Sequence, residues 1–169
     1  MDAVTSATAD GIRPATPDDL GWLLELNNDA VPAVNTLTAD EIAWFLEVAH
    51  LFLVVDDPGS HEVVAFLVGL DGPGLEYGSR NYAFFCEQAR GRQDRFLYVD
   101  RVVVDPEWWG RGLGRAFYRA LVASAGDHPV LCAEVNLVPR NDRSLAFHQR
   151  FGFSPVGEQE TEDGLKRVV

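Results

Sequence analysis

The sequence predicts a single domain of the α/β (α+β) class, in which helices pack on a mixed and mostly antiparallel sheet. Short β-branched apolar runs alternate along the chain with segments of helical periodicity, and turn clusters rich in glycine, proline and aspartate separate them. The 169 residues are 47% hydrophobic and 24% charged, which suits one soluble core. We assign residues 11–169 to this domain and residues 1–10 to a disordered leader.

The first elements are a strand and two helices. "IRPAT" at 12–16 is typical of a short strand, and Thr16 followed by Pro17 is typical of the start of a helix. A second helix is predicted after Thr38, because Glu41 stands three residues later and completes a capping box.

The next segment predicts a β-hairpin and an insert. Apolar runs at 51–55 and 62–70 read as strands, and the "DDPGSH" turn between them makes an antiparallel pair the expected arrangement. Residues 71–95 are less regular, with a short helix expected around 80–89. A segment of this length in a compact domain is either functional or a simple surface insertion.

The C-terminal half alternates strands with helices. We predict a strand at 96–104, a helix at 113–125 that Gly126 ends, a strand at 130–137, a helix at 141–151 and a closing antiparallel pair formed by 153–160 and 165–169.

Composition excludes several classes of function. The net charge of −12 argues against non-specific nucleic-acid binding. The two cysteines, Cys86 and Cys132, are far apart and form no CxxC motif, so we expect no metal site and free thiols. No apolar run is long enough to span a bilayer, and the N-terminus lacks the pattern of a signal peptide. We therefore expect a cytoplasmic protein without membrane or nucleic-acid partners.

A glycine motif lies between the strand at 96–104 and the following helix. A P-loop requires Lys-Ser/Thr after its last glycine, and here Arg115 and an alanine follow instead. A nicotinamide-binding fingerprint requires G-x-G-x-x-G directly after the strand, whereas "DPEWW" intervenes here and the spacing is G-x-G-x-G. A phosphate cradle formed by backbone N–H groups at a helix N-terminus remains, beside a flexible turn with incidental arginines.

The order of elements and two motifs resemble the GNAT N-acetyltransferase superfamily. "WGRGLG" at 109–114 matches its Gln/Arg-x-x-Gly-x-Gly/Ala signature, except that Trp109 stands where Gln or Arg is usual. "NDRSLAFHQRFGF" at 141–153 matches the second signature, with His148 at the usual tyrosine position. The resemblance covers roughly residues 11–169.

This resemblance implies an acetyl-coenzyme A site where the fourth and fifth strands splay apart. The pyrophosphate would lie on the glycine loop and the pantetheine arm would pair with the end of the fourth strand. The implied cofactor-binding residues are Val102, Val103, Val104, Trp109, Gly110, Arg111, Gly112, Leu113, Gly114 and Arg115, together with Asn141, Ser144 and Phe147 on the later helix.

The implied chemistry is direct transfer of an acetyl group to a primary amine of a small molecule or peptide. The family places a thiolate-protonating hydroxyl at the position of His148, so His148 is either the acid or a satisfied core histidine. Asp100 is the first candidate base, since an aspartate in an apolar strand needs a reason, although a structural pair with an arginine is the alternative. Glu134 is the second candidate, and deprotonation through ordered water requires neither carboxylate.

The acceptor side is less defined. We expect it to involve the first two helices, including Asn27 and Asn28, together with Tyr98 on the fourth strand and the 71–95 insert. A non-catalytic acyl-CoA-binding regulatory domain is the alternative function, because the tyrosine is replaced and the base is undetermined. The closing strands at 153–169 are a surface through which two copies could form a homodimer.

Overall fold

In a computed structural model, residues 11–91, 94–161 and the backbone of 167–168 are described. The predicted leader at 1–10 lies outside these residues. The strands are β1 (Ile12–Pro14), β2 (Leu51–Asp56), β3 (Val63–Gly72), β4 (Phe96–Val104), β5 (Val130–Ala133), β6 (Asn136–Val138), β7 (Gln159–Glu160) and β8 (Arg167–Val168). The α-helices are α1 (Leu20–Asp29), α2 (Ala39–Val48), α3 (Arg80–Arg90), α4 (Leu113–Ala123) and α5 (Asp142–Phe151). Short 3₁₀ turns lie at Pro17–Asp19 and Pro106–Trp108.

The predicted helix starts are confirmed. Thr38 caps α2, where its side chain accepts a hydrogen bond from the backbone N–H of Glu41. The predicted first helix begins as the 3₁₀ turn after Thr16 and continues as α1. The turn is held by Asp19, whose carboxylate receives two hydrogen bonds from Arg13 at 2.8 and 2.9 Å. These bonds help to lower the pKa of Asp19, against the raising effect of burial.

The sheet is mixed, as predicted. Its strand order is β1-β2-β3-β4-β5, with antiparallel pairing of β1 with β2 and of β2 with β3, and parallel pairing of β4 with β5. β5 ends at Ala133, which pairs with Val99, whereas β4 continues to Val104. The pairing of β4 with β5 therefore ends part-way along β4, and the fold class is confirmed.

The prediction of a single strand at 130–137 is wrong, because two strands, β5 and β6, occupy this segment. The strand β5, which pairs with β4, ends at Ala133. The next strand, β6, pairs with β8 in a second, three-stranded sheet of order β6-β8-β7. The predicted closing pair exists as β7 and β8, but its first strand is limited to Gln159–Glu160. Pro155 lacks a backbone N–H for a strand ladder, and a Cβ on Gly157 would lie 2.8 Å from the ring of Phe84.

The described residues form two compact units. The first unit comprises residues 11–69 and 101–124. Its apolar core receives buried side chains from α1, α2 and α4 and includes Leu23, Phe45, Phe66, Phe117 and Leu121. Gly69 on β3 is required there, because an added Cβ would lie 2.8 Å from Cδ1 of Leu121 on α4.

The second unit comprises residues 70–91, 94–100, 125–161 and 167–168. In this unit α3 forms within the insert at nearly the predicted position and packs aromatic side chains on β4. The ring of Tyr82 lies 5.6 Å from that of Tyr98, and the ring of Phe85 lies 5.8 Å from it. The insert is therefore packed on the sheet through an aromatic cluster.

Candidate active site

The glycine loop lies in the first unit, where it joins β4 to α4. Asp105 caps the 3₁₀ turn, and Gly110 and Gly112 follow with φ of 77° and 78°. Both glycines thus occupy the left-handed region that other residues adopt only with strain. Gly112 is the N-cap of α4 and the first turn of this helix contains no acidic residue. Such an N-terminus presents unpaired N–H groups and positive dipole charge to an anion.

Trp109 has a structural role that the sequence did not reveal. Its indole Nε1 donates a hydrogen bond of 2.9 Å to the carbonyl oxygen of Val104, which is the last residue of β4. The side chain is nevertheless 51% exposed. Trp109 therefore ties the loop to the end of the strand and presents its ring to solvent, in the place where a Gln or Arg was expected.

The charged side chain within the loop is also placed by aromatic packing. The guanidinium of Arg111 lies 4.2 Å from the ring centroid of Trp108, and its Nη2 lies 3.4 Å from the carbonyl oxygen of Glu107. Arg115 is exposed on the first turn of α4. The loop thus carries one cation between its two left-handed glycines and a second cation on the first turn of α4.

Burial alternates along the second half of β4. Asp100, Val102 and Val104 are half-buried, whereas Arg101 and Val103 between them are buried. The backbone of Val102 to Val104, predicted to pair with pantetheine, thus begins two residues after the candidate base. One acceptor of this segment, the Val104 carbonyl, is already engaged by Trp109.

Both candidate bases lie in the second unit, where each accepts a hydrogen bond from a tyrosine. The hydroxyl of Tyr98 donates to Oε2 of Glu134 at 2.7 Å, and the hydroxyl of Tyr77 donates to Oδ1 of Asp100. The four side chains form one cluster, since the charges of Glu134, Asp100 and Tyr77 all act on Tyr98. The sequence analysis named three of these residues and missed Tyr77.

Tyr98 is positioned to orient a carboxylate. Its side chain is fully buried, and burial, followed by the neighbouring carboxylates, raises its pKa well above 10.0. The phenol therefore stays protonated at neutral pH and acts as a permanent donor to Glu134. Its predicted role as a substrate-binding residue remains a prediction, which the complete burial of the side chain does not favour.

His148 has the properties of the core histidine that the sequence left open. It is 7% exposed, and its Nδ1 lies 2.7 Å from the carbonyl oxygen of Ser144. Because Nδ1 must donate there, the neutral ring carries its lone pair on Nε2. Burial lowers the pKa of His148 below 6.5, and the bond to Ser144 only partly opposes this shift.

We expect this burial to produce a stability loss at mildly acidic pH. A histidine whose pKa is lower in the folded chain than in the unfolded chain stabilises the fold fully at a pH above its unfolded-state pKa. This stabilisation decreases as the pH falls below about 6.5. Each unit of pKa depression is worth about 1.4 kcal/mol. The free energy of unfolding should therefore fall less in His148→Asn than in wild type between about pH 7.5 and 5.5.

Urea titrations at several pH values measure this difference. Asparagine can keep the donor to Ser144 but does not titrate, and the exposed His61 provides the matched control as His61→Asn. Equal pH dependence of wild type and His148→Asn would show that the buried ring is not protonated on unfolding.

The other predicted residues of α5 mainly organise that helix. Asn141 is its N-cap, since its Oδ1 accepts a hydrogen bond of 3.1 Å from the backbone N–H of Ser144. The hydroxyl of Ser144 lies 3.3 Å from Nδ1 of His148, and the ring of Phe147 lies 5.3 Å from the His148 ring in an edge arrangement. Their contacts with coenzyme A remain predictions.

In the first unit, Asn27 and Asn28 bind the segment after α1. Asn27 is fully buried, and its amide donates to Oδ1 of Asn28 at 2.9 Å and to the carbonyl oxygen of Asn35 at 3.0 Å. The amide of Asn28 exchanges two hydrogen bonds with the backbone of Leu37. These asparagines therefore shape the loop between α1 and α2, and the buried Asn27 is placed to support this loop rather than to contact an acceptor.

Arg101 is a buried cation that the sequence analysis did not single out. Its Nη1 donates to Oδ1 of Asn27 at 2.9 Å and to the carbonyl oxygen of Asn35 at 3.2 Å. The guanidinium also lies 5.5 Å from the ring of Phe45 on α2. An arginine within a run of valines was the signal that could have identified this network.

Arg101→Met should destabilise the protein by about 2 to 4 kcal/mol. The change removes the donor to the buried Oδ1 of Asn27 and one of the donors to the carbonyl oxygen of Asn35, and a buried polar group that loses its partner bears the full desolvation cost. Urea unfolding measures the effect, with Arg119→Met on the exposed face of α4 as the control. A loss equal to that of the control would mean that the network adds nothing to stability.

The cysteines do not have the properties of nucleophiles. Burial raises the pKa of the Cys132 thiol to about 12, and burial also raises the pKa of Cys86. Both are free thiols, as predicted. Because the thiolate is the reactive form, these environments favour direct transfer over a cysteine-bound acyl intermediate. In residues 11–91 and 94–161 no cluster of three His, Cys, Asp or Glu side chains is placed to hold a metal ion.

The glycine loop thus joins a central strand to a helix N-terminus that is suited to an anion. The sequence profile of the Acetyltransferase (GNAT) family matches residues 21–153. The chain belongs to this family, and the predicted resemblance is confirmed. No helix in the described part of the chain is long and apolar enough to cross a membrane.

Comparisons with individual proteins agree with the family. The chain is 27% identical over 92 residues to the spermine/spermidine N(1)-acetyltransferase of Bacillus subtilis, covering 54% of this chain and 60% of that protein. It thus spans only about three fifths of this relative's length.

Two solved structures are similar in fold. Naa20 of Chaetomium thermophilum in complex with a bisubstrate analogue superposes with a TM-score of 0.71 at 19% identity, covering 93% of this chain and 82% of that chain. NAA60 of Arabidopsis thaliana, also with a bisubstrate analogue, gives 0.70 at 15% identity, covering 93% and 92%.

Proposed function

We propose that this protein is an acetyl-CoA-dependent N-acetyltransferase that acts on a primary amine of a small molecule or peptide by direct transfer. The observation that carries the proposal is the loop between β4 and α4. Two left-handed glycines, an N-terminus without acidic residues and flanking arginines suit the pyrophosphate of coenzyme A. Membership of the acetyltransferase family supports the same cofactor.

The chemistry requires a neutral amine, because an ammonium ion has no lone pair with which to attack the thioester. We propose that Asp100 removes this proton, with Glu134 as the second candidate. Both carboxylates are half-buried and receive phenolic hydrogen bonds, so each is oriented by the protein. Coenzyme A, once bound, supplies the activated acetyl group and the thiolate leaving group.

A polyamine is the first acceptor to test. The net charge of −12 favours a cationic substrate, and the relative from Bacillus subtilis is named as a spermine/spermidine acetyltransferase. We further propose a cytoplasmic location, which two free thiols support because they suit a reducing compartment.

A coenzyme A-binding domain without catalysis is the second candidate. It is favoured by His148, which stands at the usual tyrosine position of the resemblance but directs Nδ1 to its own helix and has a lowered pKa. A neutral buried imidazole is a poor donor to a departing thiolate, so a different group or water would have to protonate the sulfur.

Release of free coenzyme A separates the two candidates. The assay uses acetyl-CoA with polyamines, amino acids, aminoglycosides and peptide N-termini, and thermal unfolding with and without acetyl-CoA reports binding. We expect thiol release with at least one amine and a raised unfolding temperature. Stabilisation without thiol release for any amine supports the binding domain, and stabilisation by NAD alone contradicts both.

A further inference from the structure

The insert before α3 brings a tyrosine to the candidate base on β4. Tyr77 lies between β3 and α3, and its hydroxyl donates to Oδ1 of Asp100. Both residues belong to the second unit and both are half-buried. A side chain from a connecting segment thus contacts the one carboxylate that interrupts the valine-rich part of the strand.

Tyr77 is held in place by an ordered segment. Its ring packs edge-on against the ring of Tyr82 at 5.7 Å. The hydroxyl of Tyr82 in turn donates to the carbonyl oxygen of Asp71 at 2.8 Å and accepts from the backbone N–H of Leu75 at 3.2 Å. Ser79 caps α3 directly after this segment. The position of the Tyr77 hydroxyl is therefore fixed on both sides along the chain.

A second hydrogen bond from a tyrosine hydroxyl to a carboxylate occurs in the cluster, but its tyrosine lies on a strand and not in the insert. Tyr98 donates to Glu134 from within β4 and is fully buried, whereas Tyr77 reaches Asp100 from the insert. A phenol that donates to a carboxylate favours its ionised form and restricts its rotation. A carboxylate has about four lone-pair sites, so one phenol leaves it able to accept a proton.

We propose that Tyr77 is a positioning residue for acetyl transfer, because it holds Asp100 in the orientation in which this carboxylate accepts the proton of the acceptor amine. The role rests on the proposed function. The acceptor ammonium gives one proton to Asp100 and becomes a neutral amine. Its nitrogen then bonds to the acetyl carbon, and the C–S bond breaks with its electron pair going to sulfur. The second nitrogen proton ends on the sulfur, and Asp100 returns its proton to solvent.

This assignment gives the insert a role in the reaction. The expected acceptor side includes residues 71–95, and the Tyr77–Asp100 bond ties that segment to the group that activates the amine. A change in the order of the segment would therefore alter the chemical step as well as acceptor binding. Phenylalanine at position 77 keeps the ring contact with Tyr82 and removes only the hydroxyl.

The test is a double-mutant cycle with Tyr77→Phe and Asp100→Asn, measured as kcat and KM on the best amine. We expect Tyr77→Phe to lower kcat about tenfold, since a hydrogen bond to a charged group is lost, with KM for both substrates within about twofold. In the Asp100→Asn background the same change should alter kcat by less than about twofold, because the bonded carboxylate is already absent.

Glu76→Gln is the control, because it changes the exposed residue next to Tyr77 and leaves every phenol of the insert in place. Its kcat should stay within about twofold of wild type. A wild type without turnover contradicts the proposed function and this role with it. A wild type with turnover contradicts this role alone if Tyr77→Phe leaves kcat unchanged, if its effect persists fully in Asp100→Asn, or if Glu76→Gln lowers kcat as much.

Discussion

Acetyl-CoA binding should be lost in Gly114→Val, with an affinity at least about 100-fold weaker than that of wild type. The side chain would stand in the first turn of α4, where the pyrophosphate is expected to approach the backbone N–H groups. Loss of two charge-assisted hydrogen bonds at about 1.5 kcal/mol each suffices for this factor. The fold should survive, because valine is no worse than glycine within a helix.

The chain offers a close control for this substitution. Gly21 is the second residue of α1, as Gly114 is of α4, and a Cβ added to Gly21 meets no atom within 4 Å. Gly21→Val therefore reproduces the backbone effect of the change at a helix start outside the loop. Titration calorimetry gives the affinities, and urea unfolding without ligand gives the stabilities.

Thermal unfolding provides a second measurement of the same prediction. At a ligand concentration of 100 times Kd, binding to the folded state stabilises a protein by about 2.7 kcal/mol. Wild type and Gly21→Val should show this increase, and Gly114→Val should not. An unchanged affinity in Gly114→Val would show that the cofactor does not use this loop.

The sequence predicted the elements whose signals are local. The strand at 96–104 has the predicted bounds, and the capping box at Thr38 forms, because these patterns involve residues within a few positions of one another. The loop was identified in the same way. Two of its glycines, Gly110 and Gly112, have positive φ, whereas Gly114 lies in the first turn of α4.

The sequence could not predict contacts that depend on tertiary packing. Tyr77 meets Asp100 across a separation of 23 residues, and Arg101 meets Asn27 across 74. No spacing rule connects such positions, so Asn27 was expected on the acceptor side although it is fully buried. The break after Ala133 had the same origin, because it depends on the pairing of β6 with the distant β8.

Replacing the candidate base should produce the largest effect on turnover. Asp100→Asn preserves volume and hydrogen-bonding capacity but cannot take a proton, so kcat should fall about 100-fold or more. KM for acetyl-CoA should stay within about twofold, since the carboxylate is proposed to act on the amine and not on the cofactor. Initial-rate measurements of thiol release with varied amine and varied acetyl-CoA test both expectations.

Glu134→Gln distinguishes the two carboxylates. Glu134 receives its hydrogen bond from a phenol that is fully buried and stays protonated, so its orientation is fixed from within the sheet. If Asp100 is the base, Glu134→Gln should lower kcat by no more than about tenfold, the scale of one hydrogen bond to a charged group. A loss of about 100-fold in Glu134→Gln with a small loss in Asp100→Asn would reverse the assignment.

An exposed acid in the insert separates loss of the base from loss of surface charge. Glu76 precedes Tyr77 in the chain and is exposed, so Glu76→Gln removes the same charge without touching the tyrosine–carboxylate pairs. Its kcat should equal that of wild type. If the kcat values of Asp100→Asn and Glu134→Gln both equal that of Glu76→Gln, neither carboxylate takes the proton of the amine. Ordered water then takes this proton, because both tyrosines act as hydrogen-bond donors and both thiols have raised pKa values.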